Sequence, residues 1–176
     1  AKESVEALQQ MGIEVELLSG DHPARVEVIA KQLGVDGFRG GVTPEQKLEL
    51  LHSANKVTAM VGDGINDVAA LARADIGIAM GSGAHAAQAA SAITILDDNP
   101  VNVAYALSLA KRTHRNILQN LGWAFGYNLI LIPVAALGLL NPMLAGAAMA
   151  FSSVSVVVNS QRLKWQDIQV HKGVAK

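Results

Sequence analysis

Hydrophobic and polar positions in the first hundred residues alternate between helical and strand-like periods. The spacing of Val5, Leu8 and Met11 predicts a helix over 2–11 that stops at Gly12. Residues 13–18 alternate and then become apolar, which predicts a strand. Similar patterns predict strands over 57–61, 76–80 and 92–96, and helices over 22–33, from Thr43 onward, and over 66–73, 84–90 and 100–115. Because strands separated by helices form parallel sheets, we expect an α/β fold with a mostly parallel sheet covered on both faces.

The later part of the chain shows a different pattern, a long apolar run without charge. Residues 116–161 contain no Asp, Glu, Lys or Arg. A run of this length suits two membrane spans, since each span needs about 20 residues to cross about 30 Å of hydrocarbon. The helix break at Asn141-Pro142 divides the run into spans over 117–139 and 143–160. The alternative is an apolar helical hairpin inside a soluble core, but soluble helices rarely lose every charge for so long.

Charges at the two ends of this run predict its orientation. Lys111, Arg112 and Arg115 precede the first span, Arg162 and Lys164 follow the second, and the link between them is uncharged. By the positive-inside rule, both outer ends are cytoplasmic and the link faces outward. We therefore expect a multi-pass protein of the cell membrane with these parts: a cytoplasmic domain over 1–99, a linking helix over 100–116, the two spans, and a cytoplasmic tail over 161–176.

Composition narrows the classes of function. The chain has no cysteine, which excludes a disulfide scaffold, a cysteine zinc site and a thiol nucleophile within it. Aromatic residues make up only 4% and the net charge is −1, so we expect no nucleic-acid partner.

Two predicted strands end in residues that could bind a ligand. One leads into Ser19-Gly20-Asp21, and the other leads into residues 62–67, Gly-Asp-Gly-Ile-Asn-Asp. In parallel sheets, ligands bind at the carboxyl ends of strands. Glycines such as Gly62 and Gly64 let the backbone turn sharply and approach a ligand closely. Asp63 and Asp67 are four residues apart, so both carboxylates could face one small volume and hold Mg²⁺ beside a phosphate.

Two further residues could complete such a site. Asn66 can donate a neutral hydrogen bond to a phosphate oxygen, and Lys47 could neutralise charge on a transferring phosphoryl group. Lys47 follows a strong helix start, with Thr43 as the N-cap, Pro44 at the first position and Gln46 three residues after the cap. Taken singly, these residues are also typical of turns and solvated helix surfaces. Their combination at strand ends favours a site.

In these motifs the chain resembles the heavy-metal branch of the P-type ATPases. Residues 62–71 resemble that family's GDGxNDxPxL hinge motif, and the Ala-Asp-Ile-Gly-Ile-Ala-Met-Gly run over 74–81 matches the segment after it. Ser19-Gly20-Asp21 resembles its TGD motif, and residues 43–47 resemble the segment that carries its phosphorylation-domain lysine. The resemblance extends from residue 1 to about residue 165.

The resemblance implies a fold and roles for these residues. It implies the C-terminal part of a Rossmann-like, haloacid-dehalogenase-type phosphorylation domain, followed by a two-helix transmembrane hairpin. By this resemblance, Asp63 and Asp67 help to bind Mg²⁺. Lys47 contacts the phosphate, and Asn66 supports it. Ser19 supplies a hydroxyl in the loop that also contains Gly20 and Asp21. The family's phosphorylated aspartate lies in a DKTGT motif, which this sequence does not contain. Ser19 replaces the family threonine and keeps its hydroxyl, whereas Ala69 replaces a proline that stiffens a helix start.

Polar residues also occur within the predicted spans. At 1.5 Å per residue, Tyr127-Asn128 in the first span and Ser152-Ser153 in the second lie at a similar depth, and Met149 lies one turn further out. Met149, Ser152 and Ser153 can share one helix face, and a thioether suits the soft ion Cu(I). Small residues that let helices pack closely are the alternative. The Tyr-Asn pair and the Met-x-x-Ser-Ser pattern resemble the copper(I)-transporting subgroup.

We therefore expect part of an ATP-driven Cu(I) export pump that works through an aspartyl-phosphate intermediate. The resemblance implies Mg²⁺ and ATP as cofactors, with ATP bound mainly by a nucleotide-binding domain outside this sequence. It implies the rest of the pump as partner, meaning the actuator domain, the nucleotide-binding domain and other membrane helices, together with the lipid bilayer and a candidate copper chaperone. The alternatives are a Zn, Cd or Co pump, a catalytically silent fragment, and a membrane-tethered phosphatase, although no nucleophilic aspartate motif precedes Ser19.

Overall fold

The computed structural model describes residues 1–81, 85–139 and 141–174. The chain divides into two units, Ala1–Ala106 and Leu107–Lys176. In chain order the elements are α1 (Lys2–Gln10), β1 (Glu16–Leu18), α2 (Pro23–Leu33), β2 (Gly37–Arg39), α3 (Pro44–Ser53), β3 (Ala59–Gly62), a 3₁₀ turn (Ile65–Asp67), α4 (Val68–Arg73), β4 (Ile76–Met80), α5 (His85–Ala90), β5 (Ile93–Ile95), α6 (Val101–Ala136) and α7 (Pro142–Val174).

The described strands of the first unit form two parallel sheets, which confirms the expected α/β fold. Strands β1 and β2 pair with Glu16 opposite Gly37, and the other sheet has the order β3-β4-β5. The expectation of one sheet was incomplete because β2 was not predicted. This strand has only three residues, one of them glycine, and no buried position, so its sequence carries no alternation. Pairing with β1 defines it.

The core of the first unit lies between the three-stranded sheet and α4. Leu71 of α4 and Ile78 and Ala79 of β4 are almost fully buried. The helix approaches the strand so closely that a Cβ on Gly77 would stand 2.3 Å from the Leu71 carbonyl oxygen. Glycine at this position therefore lets α4 lie against the sheet and places the residues before α4 at the end of β3.

Local sequence signals define the start of α3 and the end of α2. Thr43 Oγ1 accepts a hydrogen bond from the Gln46 amide at 3.3 Å, and Gln46 Oε1 accepts one from the Thr43 amide at 2.9 Å. This reciprocal pair is a capping box, and Pro44 occupies the first helical position as predicted. Helix α2 ends where predicted, at Gly34, which adopts a left-handed conformation with φ of 71°.

Helices α6 and α7 are longer than their sequence patterns suggested. The linking helix expected over 100–116 and most of the helix expected over 117–139 form one continuous helix, which ends at Ala136 and includes Pro133 near its end. Helix α7 begins at Pro142, as the Asn-Pro break predicted, and continues through most of the expected tail to Val174. The hydrogen bonds of a helix are made by backbone atoms. A shift from charged to apolar side chains therefore does not interrupt the helix.

Within the described residues, one helix is long and apolar enough to cross a membrane, Val101–Ala136. Large apolar side chains on it are exposed, including Leu129 (77%), Ile130 (66%) and Ile132 (66%). Such a continuous apolar surface is typical of contact with lipid or with other apolar helices. The second span, over 143–160, stays a prediction.

Asp75 links the starts of two neighbouring strands. Its carboxylate accepts hydrogen bonds from the Thr58 amide at 2.8 Å and the Thr58 hydroxyl at 3.1 Å. These bonds, the backbone one first, hold the pKa of Asp75 below its usual value. Since the pKa is lower in the folded state than in the unfolded state, the ionised carboxylate stabilises the fold above the unfolded pKa of about 3.9, and this stabilisation is lost as the pH falls through the lower folded value.

We predict that Asp75→Asn lowers the free energy of unfolding at pH 7, because the amide is a weaker acceptor for both Thr58 donors. The difference from the parent should shrink as the pH falls below 4. Urea unfolding at a series of pH values measures this, with Glu49→Gln, an exposed acid on α3, as the control. A difference that does not change with pH would contradict the role of the ionised carboxylate.

Candidate functional sites

The loop after β3 brings its acidic residues to the carboxyl end of the sheet. Strand β3 ends at Gly62, residues 65–67 form a 3₁₀ turn, and α4 starts at Val68. The Asp67 amide donates to the Gly64 carbonyl at 3.1 Å, which closes this turn. A Cβ on Gly62 would stand 2.8 Å from Asp67 Cβ and 3.0 Å from Asp67 Oδ2. Only glycine at the strand end therefore lets the Asp67 side chain fold back against it.

An ion pair joins this loop to α3. Lys47 Nζ donates to Asp67 Oδ1 at 2.7 Å, and each side chain keeps only 13% of its surface exposed. Low exposure strengthens the attraction and makes loss of one partner costly. The sequence placed Lys47 against a phosphate, but its partnership with Asp67 is visible only in the structure. Lys47 and Asp67 are thus held together at one edge of the sheet.

The Ser19-Gly20-Asp21 loop is tied to the segment that leads into α3. The Val42 amide donates to the Ser19 carbonyl at 3.0 Å, and the Gly41 amide donates to the Asp21 carbonyl at 2.7 Å. Ser19 Oγ accepts a hydrogen bond from the Asp21 amide at 3.2 Å, which shapes the loop. Through the segment over 40–43 and α3, the loop after β1 is connected to Lys47 and hence to Asp67.

Electrostatics at the start of α3 favour negative charge there. Glu45 lies in the first turn, where its own backbone amide and the Thr43 hydroxyl hold the pKa of its carboxyl below the usual value. Unpaired amides at a helix N-terminus favour anions in the same way. Glu45 thus stays ionised near neutral pH.

The donor set after β3 fits Mg²⁺. Asp63 is exposed. One carboxylate oxygen of Asp67 accepts a hydrogen bond from Lys47, and the other lies beside Gly62. Among the described residues there is no group of three or more His, Cys, Asp or Glu side chains that could hold a metal ion by themselves. Magnesium is usually held by one or two carboxylates together with phosphate oxygens and water, so two aspartates are sufficient for this ion.

The candidate residues differ in how the structure places them. It brings Lys47 and Asp67 into contact and ties the Ser19–Asp21 loop to the start of α3. Asp63 and Asn66 lie on the same loop as Asp67, and both are exposed. Sequence reasoning missed the Gly41-Val42 connection, because its hydrogen bonds are made by backbone atoms and leave no side-chain signal.

A cavity lies at the other ends of the strands. It has a volume of about 430 Å³ and is lined in part by Val57 and Thr58 before β3 and by Arg73 and Asp75 before β4. None of the candidate residues lines it. Because ligands of parallel sheets bind at the carboxyl ends, the candidate site remains the loop after β3.

The candidate cation ligands lie on α6 and α7. Tyr127 stacks on Trp123 with ring centroids 6.1 Å apart, and Asn128 Nδ2 donates to the Ala124 carbonyl at 3.0 Å. Ser153 Oγ donates to the Met149 carbonyl at 3.1 Å, and the Met149 side chain is exposed. Asn128 and Ser153 therefore each donate a hydrogen bond to a carbonyl of their own helix, and their side-chain oxygen atoms still carry free lone pairs.

Comparisons with known proteins agree with this architecture. The family model of haloacid dehalogenase-like hydrolases matches residues 1–75. The chain is 52% identical over 167 residues to the copper-exporting P-type ATPase of Staphylococcus aureus strain bovine RF122 / ET3-1, and 52% identical to that of strain JH9. Both alignments cover 93% of this chain and 21% of the relative, so the chain spans about a fifth of the length of these curated relatives.

Solved structures give the same result for the fold. A zinc-transporting PIB-type ATPase in an E2·Pi state matches with a TM-score of 0.84 and 35% identity, over 91% of this chain and 27% of that one. The catalytic domain of a CPx-type ATPase matches with a TM-score of 0.56 and 29% identity, over 60% of this chain and 43% of that one. The expected haloacid-dehalogenase-type fold, with a long apolar helix after it, is confirmed.

We predict that Lys47→Met lowers the free energy of unfolding by about 3 kcal/mol, because it leaves the Asp67 carboxylate largely buried without its partner. The double variant Lys47→Met/Asp67→Leu should recover most of this loss, since two apolar side chains leave no unpaired charge. Denaturant unfolding of the single and double variants measures the coupling. Additive losses in the double variant would show that the pair does not stabilise the fold.

Proposed function

This chain belongs to the heavy-metal branch of the P-type ATPases, and on that premise we propose that it serves as part of an ATP-driven pump that exports Cu(I). Its first unit would form part of the phosphorylation domain, and its apolar helices would form part of the ion pathway. The observation that carries this proposal is the Lys47–Asp67 pair at 2.7 Å, beside a loop with a second carboxylate at the carboxyl end of β3.

In the phosphorylation domain, Asp63 and Asp67 would hold Mg²⁺, and Asn66 and Ser19 would supply hydrogen bonds to the phosphoryl group. The bound ion would neutralise negative charge on that group. Lys47 holds the Asp67 carboxylate in place and brings a positive charge to the same edge. Gly62 and Gly64 let the loop approach the ligand closely, and Gly20 and Asp21 shape the loop that carries Ser19. The phosphorylated aspartate would come from a DKTGT motif outside this sequence.

In the membrane, Tyr127, Asn128, Met149, Ser152 and Ser153 would contribute ligands to Cu(I). Support comes from the Met149 thioether, a soft donor, and from the absence of Asp, Glu, Lys and Arg over 116–161. Zn²⁺ sites usually recruit carboxylate, imidazole or thiolate groups, none of which occurs between residues 116 and 161. The similarity at 52% identity to copper-exporting ATPases supports the same choice over zinc, although a zinc-transporting ATPase shares the fold.

The proposed partners are the other parts of such a pump. The curated relatives are about five times longer than the matched segment, so an actuator domain, a nucleotide-binding domain and further membrane helices would complete the machinery. The basic residues Lys111, Arg112, Arg115 and Arg162 favour a cytoplasmic position for both ends of the apolar run. Contact with lipid and delivery of copper by a chaperone belong to the same proposal.

We predict that Asp63→Asn in the full-length pump lowers copper-stimulated ATP hydrolysis at least about tenfold, because a neutral amide binds Mg²⁺ more weakly and each factor of ten needs only about 1.4 kcal/mol. Raising the Mg²⁺ concentration should restore part of the activity. Steady-state hydrolysis measures this, with Glu49→Gln as the matched control. Normal activity and normal Mg²⁺ dependence in Asp63→Asn would refute the magnesium role.

We predict that Met149→Ala raises the Cu(I) concentration for half-maximal ATP hydrolysis about tenfold, which corresponds to a loss of about 1.4 kcal/mol of binding free energy. Phosphorylation by inorganic phosphate in the absence of copper should not change, since that reaction does not use the thioether. Met143→Ala, which removes another exposed methionine from the same helix, is the matched control. An unchanged copper dependence would assign Met149 to packing.

A further inference from the structure

Five polar side chains join α6 to α7 where the uncharged run begins and ends. They are Asn116, Gln119 and Asn120 on α6 and Asn159 and Ser160 on α7, and we refer to them as the amide ladder. Asn116, Asn120 and Asn159 are partly buried. Neither the Mg²⁺ site nor the proposed copper site uses any of them.

The amide ladder is a connected set of hydrogen bonds. Asn116 Nδ2 donates to the Asn159 carbonyl at 2.8 Å, and Asn159 Nδ2 donates to Asn120 Oδ1 at 2.9 Å and to Gln119 Oε1 at 3.4 Å. Asn120 Nδ2 donates to Ser160 Oγ at 3.0 Å and, within α6, to Asn116 Oδ1 at 3.1 Å. Each of the three asparagines therefore takes part in at least one bond between the helices.

The position of the ladder in the hairpin determines what it can do. The two helices are joined at their other ends by the short connection over 137–141, so the ladder closes the open end of the hairpin. From Asn120 to the end of α6 is 16 residues, and from the start of α7 to Asn159 is 17, or about 24 and 26 Å at 1.5 Å per residue. The two arms therefore match in length.

This match places the candidate copper ligands at similar distances from the ladder, with Met149 somewhat further out. Asn128 is eight residues beyond Asn120, and Met149 is ten residues before Asn159, or about 12 and 15 Å from the ladder along each helix. A slip of one helical turn would displace one set by about 5.4 Å relative to the other. A slip of this size would also break the bonds between the helices and leave amide groups without partners at the edge of an apolar environment.

We propose that the amide ladder fixes the axial register between α6 and α7 and thereby fixes the height of Tyr127-Asn128 relative to Met149. Asn120 and Asn159 are positioning residues in this view, because they touch no transported ion. The consequence for copper rests on the proposed function, whereas the register itself does not. Small apolar residues alone would leave register weakly defined, since an apolar surface packs almost equally well after a slip of one turn.

The absence of cysteine from this chain makes the register directly measurable. Spin labels at Leu118→Cys and Met143→Cys, both exposed positions, would report the separation along the hairpin axis. In the full chain in lipid vesicles, the intact ladder should give one narrow distance distribution. In Asn120→Leu/Asn159→Leu, the distribution should broaden or split, with displacements of about 5 Å that correspond to one turn.

Two further variants make the distance measurement decisive. Ser155→Ala removes a hydroxyl bonded only to the Phe151 carbonyl of its own helix, and it should leave the distribution unchanged. If the double leucine variant loses helical circular dichroism, Asn116→Leu replaces it, since this change removes one bond between the helices and keeps the others. A narrow, unshifted distribution in a helical ladder variant would overturn the register role.

Copper dependence provides the second readout. In the full-length pump, Asn120→Leu/Asn159→Leu should raise the Cu(I) concentration for half-maximal hydrolysis at least about tenfold and leave phosphorylation by inorganic phosphate unchanged. A shifted distance distribution with unchanged copper dependence would overturn the positioning role. If the unaltered pump shows no response to Cu(I), the proposed function fails, and the label distances still decide the register.

Discussion

The ion pair between Lys47 and Asp67 organises the first unit around its candidate site. It joins α3 to the turn before α4 with both charges largely removed from water, so each charge depends on the other. The pair can form only because Gly62 lets Asp67 fold against the end of β3 and because Gly77 lets α4 lie against β4. Backbone hydrogen bonds then tie the Ser19–Asp21 loop to the segment before α3. Charge, glycine and backbone geometry together gather residues from three parts of the chain.

A different constraint applies to α6 and α7, because an unpaired polar group is costly within an apolar run. Residues 116–161 have no charged side chain, and most of the large apolar side chains that the structure describes in this run are exposed. Several polar side chains of the run are bonded within their own helix, as with Asn128 and Ser153, or between the helices, as in the amide ladder. In the two proposals, polar groups would serve chemistry in one unit and helix register in the other.

Several elements could be predicted from local sequence because their causes are local. The capping box of Thr43 and Gln46, the helix end at Gly34 and strand β4 over 76–80 agree with the structure. Strand β2 could not be predicted, since three residues without a buried position form a strand only when β1 supplies the hydrogen bonds. The two helices expected over 100–116 and 117–139 form a single helix, because a change from charged to apolar residues resembles a boundary although the helix does not break.

The sequence by itself determined the α/β character of the first unit, the apolar run, and the motifs at the ends of two strands, since periodicity, charge and spacing record them directly. It also determined the relationship to heavy-metal P-type ATPases through the Gly-Asp-Gly-Ile-Asn-Asp motif. Only the tertiary structure decided that Lys47 pairs with Asp67 and that asparagines 39 to 43 residues apart bond across two helices. The physical reason is that such contacts depend on the distance between atoms in space, and neither residue type nor spacing along the chain specifies that distance.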